Sequence, residues 1–294
     1  MDIISVYRRF PTEADCIDYL ESVRWPNGPA CPYCGSSRVT RLKAERRHHC
    51  NACNTSFSVT VGTIFHKTHM PLQKWFLAVA LTLNAKKGIS ARQLGRDLEV
   101  TKDTAWRIAM KMRTAMAESG QRTLLTGIVE CDETFIGPRR PRRHHRGDNT
   151  HHPRGRGTPK TPVVGMPERG GDVYTKVIKK KDMNSRNLSA LVRRNVDTAN
   201  AVLYTDKFTG YVGIKTFMPH ATVDHAVWYV DGNVHTNGIE SFWALLKRGI
   251  VGQYHKVSLR YLPACLSEFN YRFNNRHATG DLFDRTVARA LGVI

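Results

Sequence analysis

The spacing of apolar residues divides the chain near residue 124 into a helical part and a part made mostly of strands. The run "PLQKWFLAVALTLNA" (71–85) is largely apolar, and Pro71 suits the first turn of a helix. The next stretch, "GISARQLGRDLEVTKDTAWRIAMKMRTAM", repeats apolar residues at helical spacing on either side of a short break. The pattern therefore predicts three helices ahead of the strand-rich part.

Helix-capping residues mark the starts of the last two of these predicted helices. Ser90 and Gln93 are spaced as a capping box, and Thr101 is placed to cap the following helix, residues 102–116. Such a pair has the form of a helix-turn-helix with 102–116 as the recognition helix, although an ordinary hairpin of two helices has the same pattern. In the DNA-binding interpretation, the basic residues that are free to face DNA are Lys102, Arg107 and Lys111.

Beyond residue 124, short apolar runs bounded by turn residues predict strands. The first is "TGIVECDETFIG" (126–137), and the next two form a hairpin that turns at 168–171. The later predicted elements are a helix at 184–196, a strand at 200–206, a short helix near 208–216, a strand at 221–230 and a final helix. This order, β-β-β-α-β-α-β-α, is that of the RNase H-like fold, in which the first and fourth strands are adjacent and parallel.

Two aspartates stand where those two strands would bring them together. Asp132 lies inside an otherwise apolar strand, and Asp206 closes another. A buried carboxylate costs several kcal/mol unless it is paired or binds a cation. Mg²⁺ prefers carboxylate oxygens, and two such ions about 3.5–4 Å apart serve phosphoryl transfer. The aspartates therefore predict a catalytic site for two Mg²⁺ or Mn²⁺ ions, with a third ligand supplied by a helix.

The stretch "DGNVHTNGIESFWALLKR" (231–248) offers that third ligand. Its turn residues run into an amphipathic helix with Glu240 near its start, and Lys247 lies two turns further along the same face, where it could hold a phosphate. On local sequence alone, an acid that complements the helix dipole is the simpler interpretation of Glu240. Asp132 and Asp206 upstream favour the metal ligand instead. Asn237, expected in the turn, is a candidate to orient the helix start or a metal-bound water.

Four of the seven cysteines form two C-x-x-C pairs, "CPYC" and "CNAC", with fifteen residues between them. This spacing allows four thiolates to occupy the corners of a tetrahedron, as in structural zinc sites. Two disulfides are the alternative, but nothing in the sequence indicates secretion. We therefore expect structural zinc bound by Cys31, Cys34, Cys50 and Cys53.

These patterns together predict an α/β protein in three parts. An N-terminal helix and zinc ribbon occupy residues 1–70, and a helix-turn-helix region occupies 71–122. The RNase H-like catalytic domain, a mixed sheet with flanking helices, occupies 123–294 and includes a flexible basic loop at 138–160.

The charge of the chain points to a polyanionic partner. Lys and Arg number 45 against 25 Asp and Glu, which gives a net charge of +20, and nucleic acid is the commonest partner for such a charge. Ribosomes or anionic lipid are the alternatives. The segment 138–160 holds eight Lys and Arg against one Asp and has almost nothing apolar to bury. It is either an arm for the DNA backbone or an inert linker; its candidate DNA contacts are Arg139, Arg140, Arg142 and Arg143.

The apolar runs and the start of the chain give no indication of a membrane protein. No apolar run approaches the roughly 18–20 residues that span a bilayer. The start, "MDIISVYRRFPTEADC", lacks the order of a signal peptide. We therefore expect a soluble cytoplasmic protein without a membrane partner.

Together these motifs resemble the zinc-ribbon DDE transposases of bacterial insertion sequences, the ISXO-like group. The resemblance covers roughly residues 8–276 and rests on "CPYCGS", "CNACNTSFSVTVGTIF", "PLQKWF", "VECDETFIG", "GRGTPKTPVVGMPERGG", "LYTDKFTGY", "HTNGIESFWALLKRGIVGQYHKVS" and "LSEFNYRFNNR". It implies the same zinc ribbon, helix-turn-helix and RNase H-like catalytic domain.

The resemblance also implies roles for individual residues. The family's acids fall on Asp132, Asp206 and the Asn237/Glu240 pair, and its basic partner falls on Lys247. The family assigns the third position as Asn in some members and as Glu in others, and this chain carries both. Where the family has Gly-Gly after the first acidic motif, this chain has Gly137 followed by Pro138.

We therefore expect a bacterial, nucleoid-associated transposase. It would bind the terminal inverted repeats of its element, cut a strand in a metal-dependent reaction and transfer the new end to target DNA, with Lys247 and Arg248 as further DNA contacts. Pairing two ends implies at least a dimer on DNA. The alternatives are a domesticated, non-catalytic DNA-binding regulator and a stand-alone RNase H-like nuclease.

Overall fold

The computed structural model describes residues 1–117, 123–137, 157–223, 235–278 and 282–293. Numbered along the chain, its helices are α1 Ile3–Arg9, α2 Glu13–Arg24, α3 Leu72–Asn84, α4 Ala91–Asp97, α5 Lys102–Met116, α6 Ser185–Asn195, α7 Asn237–Gly249, α8 Leu262–Asn274 and α9 Leu282–Leu291. Its strands are β1 Val39–Leu42, β2 Arg47–Cys50, β3 Thr55–Phe57, β4 Leu125–Ile136, β5 Thr161–Pro167, β6 Val173–Val177, β7 Val196–Asp206 and β8 His220–Val223.

The chain forms two compact units. The first combines Met1–Glu118 with His277–Ile294, and the second is Ser119–Arg276. Among the described residues, no helix is both long enough and apolar enough to cross a membrane.

The first unit holds the three helices predicted from the apolar spacing. The Ser90 hydroxyl accepts a hydrogen bond from the backbone N–H of Gln93, and the Thr101 hydroxyl accepts one from that of Thr104, so both helix starts are capped as expected. Glu99 makes the turn between α4 and α5 with a φ of +53°. The inward faces of the two helices pack against each other through buried side chains: Leu94, Leu98, Ala105, Ile108 and Met112.

The C-terminal helix α9 also belongs to the first unit, whereas the sequence analysis assigned it to the catalytic domain. Its Phe283 ring packs against Phe10 and Phe76, and Asp284 forms an ion pair with Arg9. The apolar face of α9 therefore packs against residues that lie more than 200 positions earlier in the sequence. A domain boundary predicted from the order of elements along the chain does not show that the C-terminal helix belongs to the N-terminal unit.

The second unit is built on a five-stranded sheet in the order β6-β5-β4-β7-β8. Strand β4 pairs antiparallel with β5 and parallel with β7, while β6 extends the antiparallel side and β8 the parallel side. The first and fourth strands of the unit are thus adjacent and parallel, as expected for the RNase H-like fold. The predicted hairpin turn at 168–171 joins β5 to β6. The later part of the strand predicted at 221–230 lies outside the described residues.

Two apolar layers cover the two faces of this sheet. On one face, Cys131, Val164 and Leu203 pack with residues of α6 and of the 3₁₀ helix Thr209–Thr216. On the other face, Val163 and Val173 pack with residues of α7 and α8. Alternate residues of β4 and β5 therefore serve opposite layers, which explains why these strands are apolar along most of their length.

Helix α7 sits unusually close to strand β5, at Gly165. A Cβ atom at this position would lie 2.6 Å from the indole ring of Trp243 and 2.7 Å from the Cδ1 atom of Ile239. Gly165 pairs with Asp132 in the sheet. The missing side chain therefore makes the space in which α7 lies against the strand that carries the candidate catalytic aspartate.

We expect Gly165→Ala to lower the free energy of unfolding of the second unit by about 1–3 kcal/mol, because the added methyl group overpacks a close contact. Guanidinium titration followed by circular dichroism measures the change. Gly252→Ala is the matched control: it lies in the same unit, and a Cβ there has nothing within 4 Å. The control should stay within about 0.5 kcal/mol of the parent. Equal stability of Gly165→Ala and the parent would contradict the close seating of α7.

Candidate functional site

The four cysteines of the two C-x-x-C pairs come together in the first unit. Their sulfur atoms all lie within 4.8 Å of one another. The Sγ atoms are 3.7 Å apart for Cys31 and Cys53 and 3.6 Å apart for Cys34 and Cys50. A tetrahedron of Zn–S bonds near 2.3 Å has edges of about 3.8 Å. The cluster therefore fits a zinc ion, and its cysteines are not joined as disulfides.

A backbone donor favours the thiolate form of Cys50 in the second cysteine pair. The backbone N–H of Cys53 donates to the Cys50 sulfur and lowers the pKa of that thiol to about 6. Because the thiolate is the form that binds zinc, this arrangement favours metal binding near neutral pH. Beside the cluster, the buried His48 lies 2.9 Å from the carboxylate of Glu21 on α2. His48 therefore ties the ribbon to a helix.

The candidate catalytic aspartates lie side by side at one edge of the central sheet. The parallel register pairs Cys131 of β4 with Thr205 of β7, so Asp132 and Asp206 are the next residues on adjacent strands. Carboxylate oxygens of Asp132, Glu133 and Asp206 all lie within 4.8 Å of one another. Three acids thus share one small volume at the end of the β4–β7 pair.

The environment of Asp132 opposes its negative charge. Burial, together with the nearby carboxylates of Glu133 and Asp206, raises the pKa of Asp132 to about 7. The indole Nε1–H of Trp243 donates a hydrogen bond of 3.1 Å to its Oδ2 atom and partly offsets this effect. A divalent cation would neutralise the cluster through the hard oxygen ligands that Mg²⁺ and Mn²⁺ prefer, so the three acids fit such an ion.

Glu133 is not among the site residues predicted from the sequence. Side chains alternate along a strand, so Glu133, which follows Asp132, points to the opposite face of the sheet. Its hydrogen bond from the Tyr211 hydroxyl, 2.9 Å long, does come from that opposite layer. Burial raises the pKa of Tyr211 well above its ordinary value and keeps this hydroxyl protonated as a donor. The adjacent acids in "CDE" were the available signal, since an acid pair inside an apolar strand is uncommon.

Helix α7 carries the remaining candidates of the catalytic site. Asn237 is the first residue of the helix rather than part of the preceding turn, because Thr236 occupies the N-cap position. Glu240 is exposed one turn later, and its Oε1 atom lies 3.4 Å from the Thr236 hydroxyl. Within the described residues, the close group of acids holds Glu133 and not Glu240. Trp243, three residues beyond Glu240, nevertheless contacts Asp132, so this face of α7 borders the acids.

The basic residues predicted to contact DNA differ in their surroundings. Lys102 and Arg107 on α5 are exposed, as are Lys247 and Arg248 on α7. The expectation that Lys111 is free to face DNA is wrong. Its ammonium group donates hydrogen bonds to the carbonyls of Ile64 at 2.6 Å and His66 at 3.3 Å, and burial lowers its pKa.

Lys111 therefore fastens α5 to the segment before α3. Sequence reasoning could not detect this role, because the two carbonyls lie about 45 residues away in the chain. The arginines predicted to line a basic arm, Arg139, Arg140, Arg142 and Arg143, lie outside the described residues, as does most of the loop expected at 138–160.

Two parts of the chain match known protein families, and one of the proteins similar to it is a curated relative. Residues 124–274 match the ISXO2-like transposase domain, and residues 11–56 match a transposase zinc-ribbon domain. A Halobacterium salinarum protein described as "Uncharacterized protein in transposable element ISH50" is 30% identical over 280 residues. That alignment covers 90% of this chain and 92% of the relative.

Similar solved structures include two complexes of Mos1. The "Mos1 Strand Transfer Complex" has a TM-score of 0.33 and 14% identity, and covers 74% of this chain and 75% of that one. The "Mos1 transposase paired-end complex with left transposon end" has a TM-score of 0.30 and 15% identity, with 74% coverage of both chains.

The family match includes the strands that carry all three clustered acids and the helix that carries Glu240. It spans just over half of the chain, and the zinc-ribbon match includes all four clustered cysteines. The chain belongs to the ISXO2-like transposase family.

Proposed function

We propose that this protein is a DNA transposase that binds the terminal inverted repeats of an insertion sequence and performs metal-dependent strand cleavage and strand transfer. One observation carries the proposal: in a chain of this family, parallel pairing of β4 with β7 brings Asp132 and Asp206 to one edge of the sheet. A cation-dependent phosphoryl-transfer site requires carboxylates that are held close together despite their mutual repulsion. Asp132 and Asp206 are such a pair, in a partly buried place.

The reaction needs no covalent enzyme intermediate. Water attacks a phosphodiester at the element end, the P–O3′ bond breaks, and a 3′-hydroxyl is released. That hydroxyl then attacks a phosphodiester of target DNA, and a 3′-oxygen of the target leaves. Two bound Mg²⁺ or Mn²⁺ ions would supply activation of the attacking oxygen and stabilisation of the leaving one. The carboxylates of Asp132 and Asp206 would hold these ions.

The third ligand in this proposal is Glu240. A carboxylate neutralises a divalent cation better than an amide does, which favours Glu240 over Asn237. Its helix already contacts Asp132 through Trp243, so Glu240 lies on an element that borders the site, and its carboxylate would turn toward the cation on binding. Glu133 would support the same cation, with one of its oxygens held by Tyr211. Asn237 would orient the helix start or a bound water.

DNA would contact both units. In the first, the zinc ribbon and the exposed face of α5 with Lys102 and Arg107 would read the element ends. In the second, Lys247 and Arg248 would hold phosphates near the acids, and the basic segment 138–160 would follow the backbone. Because two ends must be joined in one reaction, the active form would be at least a dimer on DNA.

The first test is cleavage of a labelled end substrate whose repeat sequence is taken from the DNA that flanks the gene. Asp132→Asn, Asp206→Asn and Glu240→Gln should each lower the single-turnover rate in Mg²⁺ or Mn²⁺ by at least about 10³-fold, because each removes a charge that holds the cation. Asn237→Ala should be milder. Glu133→Gln should mainly raise the Mg²⁺ concentration that gives half-maximal cleavage.

The matched control is Asp197→Asn, which changes an aspartate at the opposite end of β7. It should cut like the parent, and every variant should bind end DNA like the parent. If Glu240→Gln cuts normally while Asn237→Ala or Glu133→Gln is inactive, the third ligand is the inactive residue. If all of these variants cut normally, the proposed site is wrong.

The second test concerns zinc. Cys31→Ser and Cys53→Ser should each lose about one zinc per chain and weaken binding to the element ends, because metal binding supplies the folding energy of this small ribbon. The second unit should remain folded, since its strands have their own apolar layers. Atomic absorption and a DNA-binding titration measure the two effects. Cys16→Ser, a buried cysteine outside the cluster, should keep its zinc. Full zinc in both ligand variants would contradict the assignment.

A further inference from the structure

The start of helix α7 is capped by a side chain from another element. Thr236 at the N-cap makes no side-chain capping bond. Instead, the Oε2 atom of Glu130 on β4 accepts the backbone N–H of Ile239, the third residue of the helix, at 2.9 Å. An N-cap residue ordinarily satisfies this N–H from within its own segment. Glu130 is 1% exposed, so the bond lies inside the protein.

Glu130 and Asp132 hold the same helix at two points. Glu130 accepts from Ile239, and two residues further along β4, Asp132 accepts from the indole of Trp243. Two residues of a strand span roughly 6.6 Å, and the four residues from Ile239 to Trp243 span roughly 6 Å of helix. Because the distance along the strand nearly equals the distance along the helix, both hydrogen bonds can form together. They thereby fix the position of α7 along β4.

An arginine fixes the other oxygen of Glu130. The Nε–H of Arg169 donates to Oε1 at 2.9 Å. A terminal nitrogen of the same guanidinium donates to the carbonyl oxygen of His235 at 3.0 Å, just before the helix. Arg169 thereby compensates the buried charge of Glu130 and ties it to the segment that leads into α7. With both oxygens engaged, Glu130 is held away from the cluster of Asp132, Glu133 and Asp206.

The residue between Asn237 and Ile239 must be small for this contact to form. A Cβ atom at Gly238 would lie 2.9 Å from Oε2 of Glu130. Because Arg169 and Ile239 fix the carboxylate, an added methyl group would push it off the Ile239 N–H. Gly238 thus offers a second way to break the contact without removing the buried charge.

We propose that Glu130 is a positioning residue that sets the register of α7, and with it the place of Asn237 and Glu240 relative to Asp132. This inference rests on the proposed function for its catalytic consequence. Asn237 and Glu240 lie immediately on either side of the Gly238–Ile239 pair that Glu130 touches. A misplacement of about 1 Å in such a site can cost about 10²-fold in rate.

The test uses Glu130→Asp, which keeps the charge facing Arg169 but withdraws the carboxylate by one methylene group. Gly238→Ala breaks the same contact from the other side, and Gly252→Ala is the control for the added methyl group. Both variants at the contact should lower the single-turnover cleavage rate by about 10–100-fold. The dissociation constant for end DNA should stay near that of the parent, and the melting temperature should fall, because the buried N–H of Ile239 loses its acceptor; cleavage is therefore measured well below the melting temperature of every variant. A variant that had only lost stability would not show a slower cleavage rate together with an unchanged dissociation constant.

The double variant tests whether the two changes act through one contact. Glu130→Asp with Gly238→Ala should cut about as fast as the slower single variant, because the bond is already lost in each. A double variant whose rate loss is the product of the two single losses would overturn the proposal. So would a Glu130→Asp variant that cuts like the parent.

Hydrogen exchange provides a readout that does not depend on catalysis. In Glu130→Asp, the backbone amides at the start of α7 (237–240) should exchange at least about tenfold faster than in the parent, because the Ile239 N–H loses its acceptor. Unchanged exchange there would overturn the proposal even if the parent is active. If the parent does not cut end DNA but exchange rises as expected, the proposed function fails and the register-setting role of Glu130 stands.

Discussion

The parallel pairing of β4 with β7 is the constraint on which the rest of the second unit depends. Its register places Cys131 opposite Thr205, and the next residue on each strand is an aspartate. A shift of one residue would turn Asp132 into the apolar layer that now holds Cys131, Val164 and Leu203, where burial of another carboxylate is costly. The apolar residues of the two strands therefore enforce the meeting of two like charges. The resulting repulsion is compensated only when a cation or a proton joins the cluster.

The same strand also organises the helix across from the acids. Residues 130 and 132 of β4 face α7, and both use carboxylate oxygens to accept N–H groups of that helix. Gly165 on the neighbouring strand leaves the room for Trp243 and Ile239 to approach. Burial of apolar side chains supplies most of the energy that holds α7 on the sheet. The two hydrogen bonds fix the position of α7 along its own axis, because apolar packing alone would allow the helix to shift slightly in that direction.

The sequence predicted the elements whose signals are local. Apolar spacing and caps located α3 to α5, and turn residues located the β5–β6 hairpin. An acid inside one apolar strand and an acid at the end of another indicated that Asp132 and Asp206 would meet. The failures came from contacts distant in sequence. Nothing near Lys111 shows that carbonyls before α3 engage its ammonium group, and nothing in α9 shows that its partners lie on α1 and α3. Alternation along β4 places Glu133 on the face opposite to Asp132, and only the reach of its long side chain brings its carboxylate to the other acids. The role of Glu130 was hidden because its helix partner is a backbone N–H, which has no sequence signature.

The central claim is that the acids at the β4–β7 edge bind a divalent cation. Diffraction from crystals soaked in Mn²⁺, measured at a wavelength where manganese scatters anomalously, tests it directly. The account predicts an anomalous peak within about 2–2.5 Å of carboxylate oxygens of both Asp132 and Asp206. In crystals of Asp132→Asn the same peak should be weakened or absent. Well-ordered crystals in which manganese binds elsewhere on the chain, while that edge of the sheet shows no peak, would contradict it.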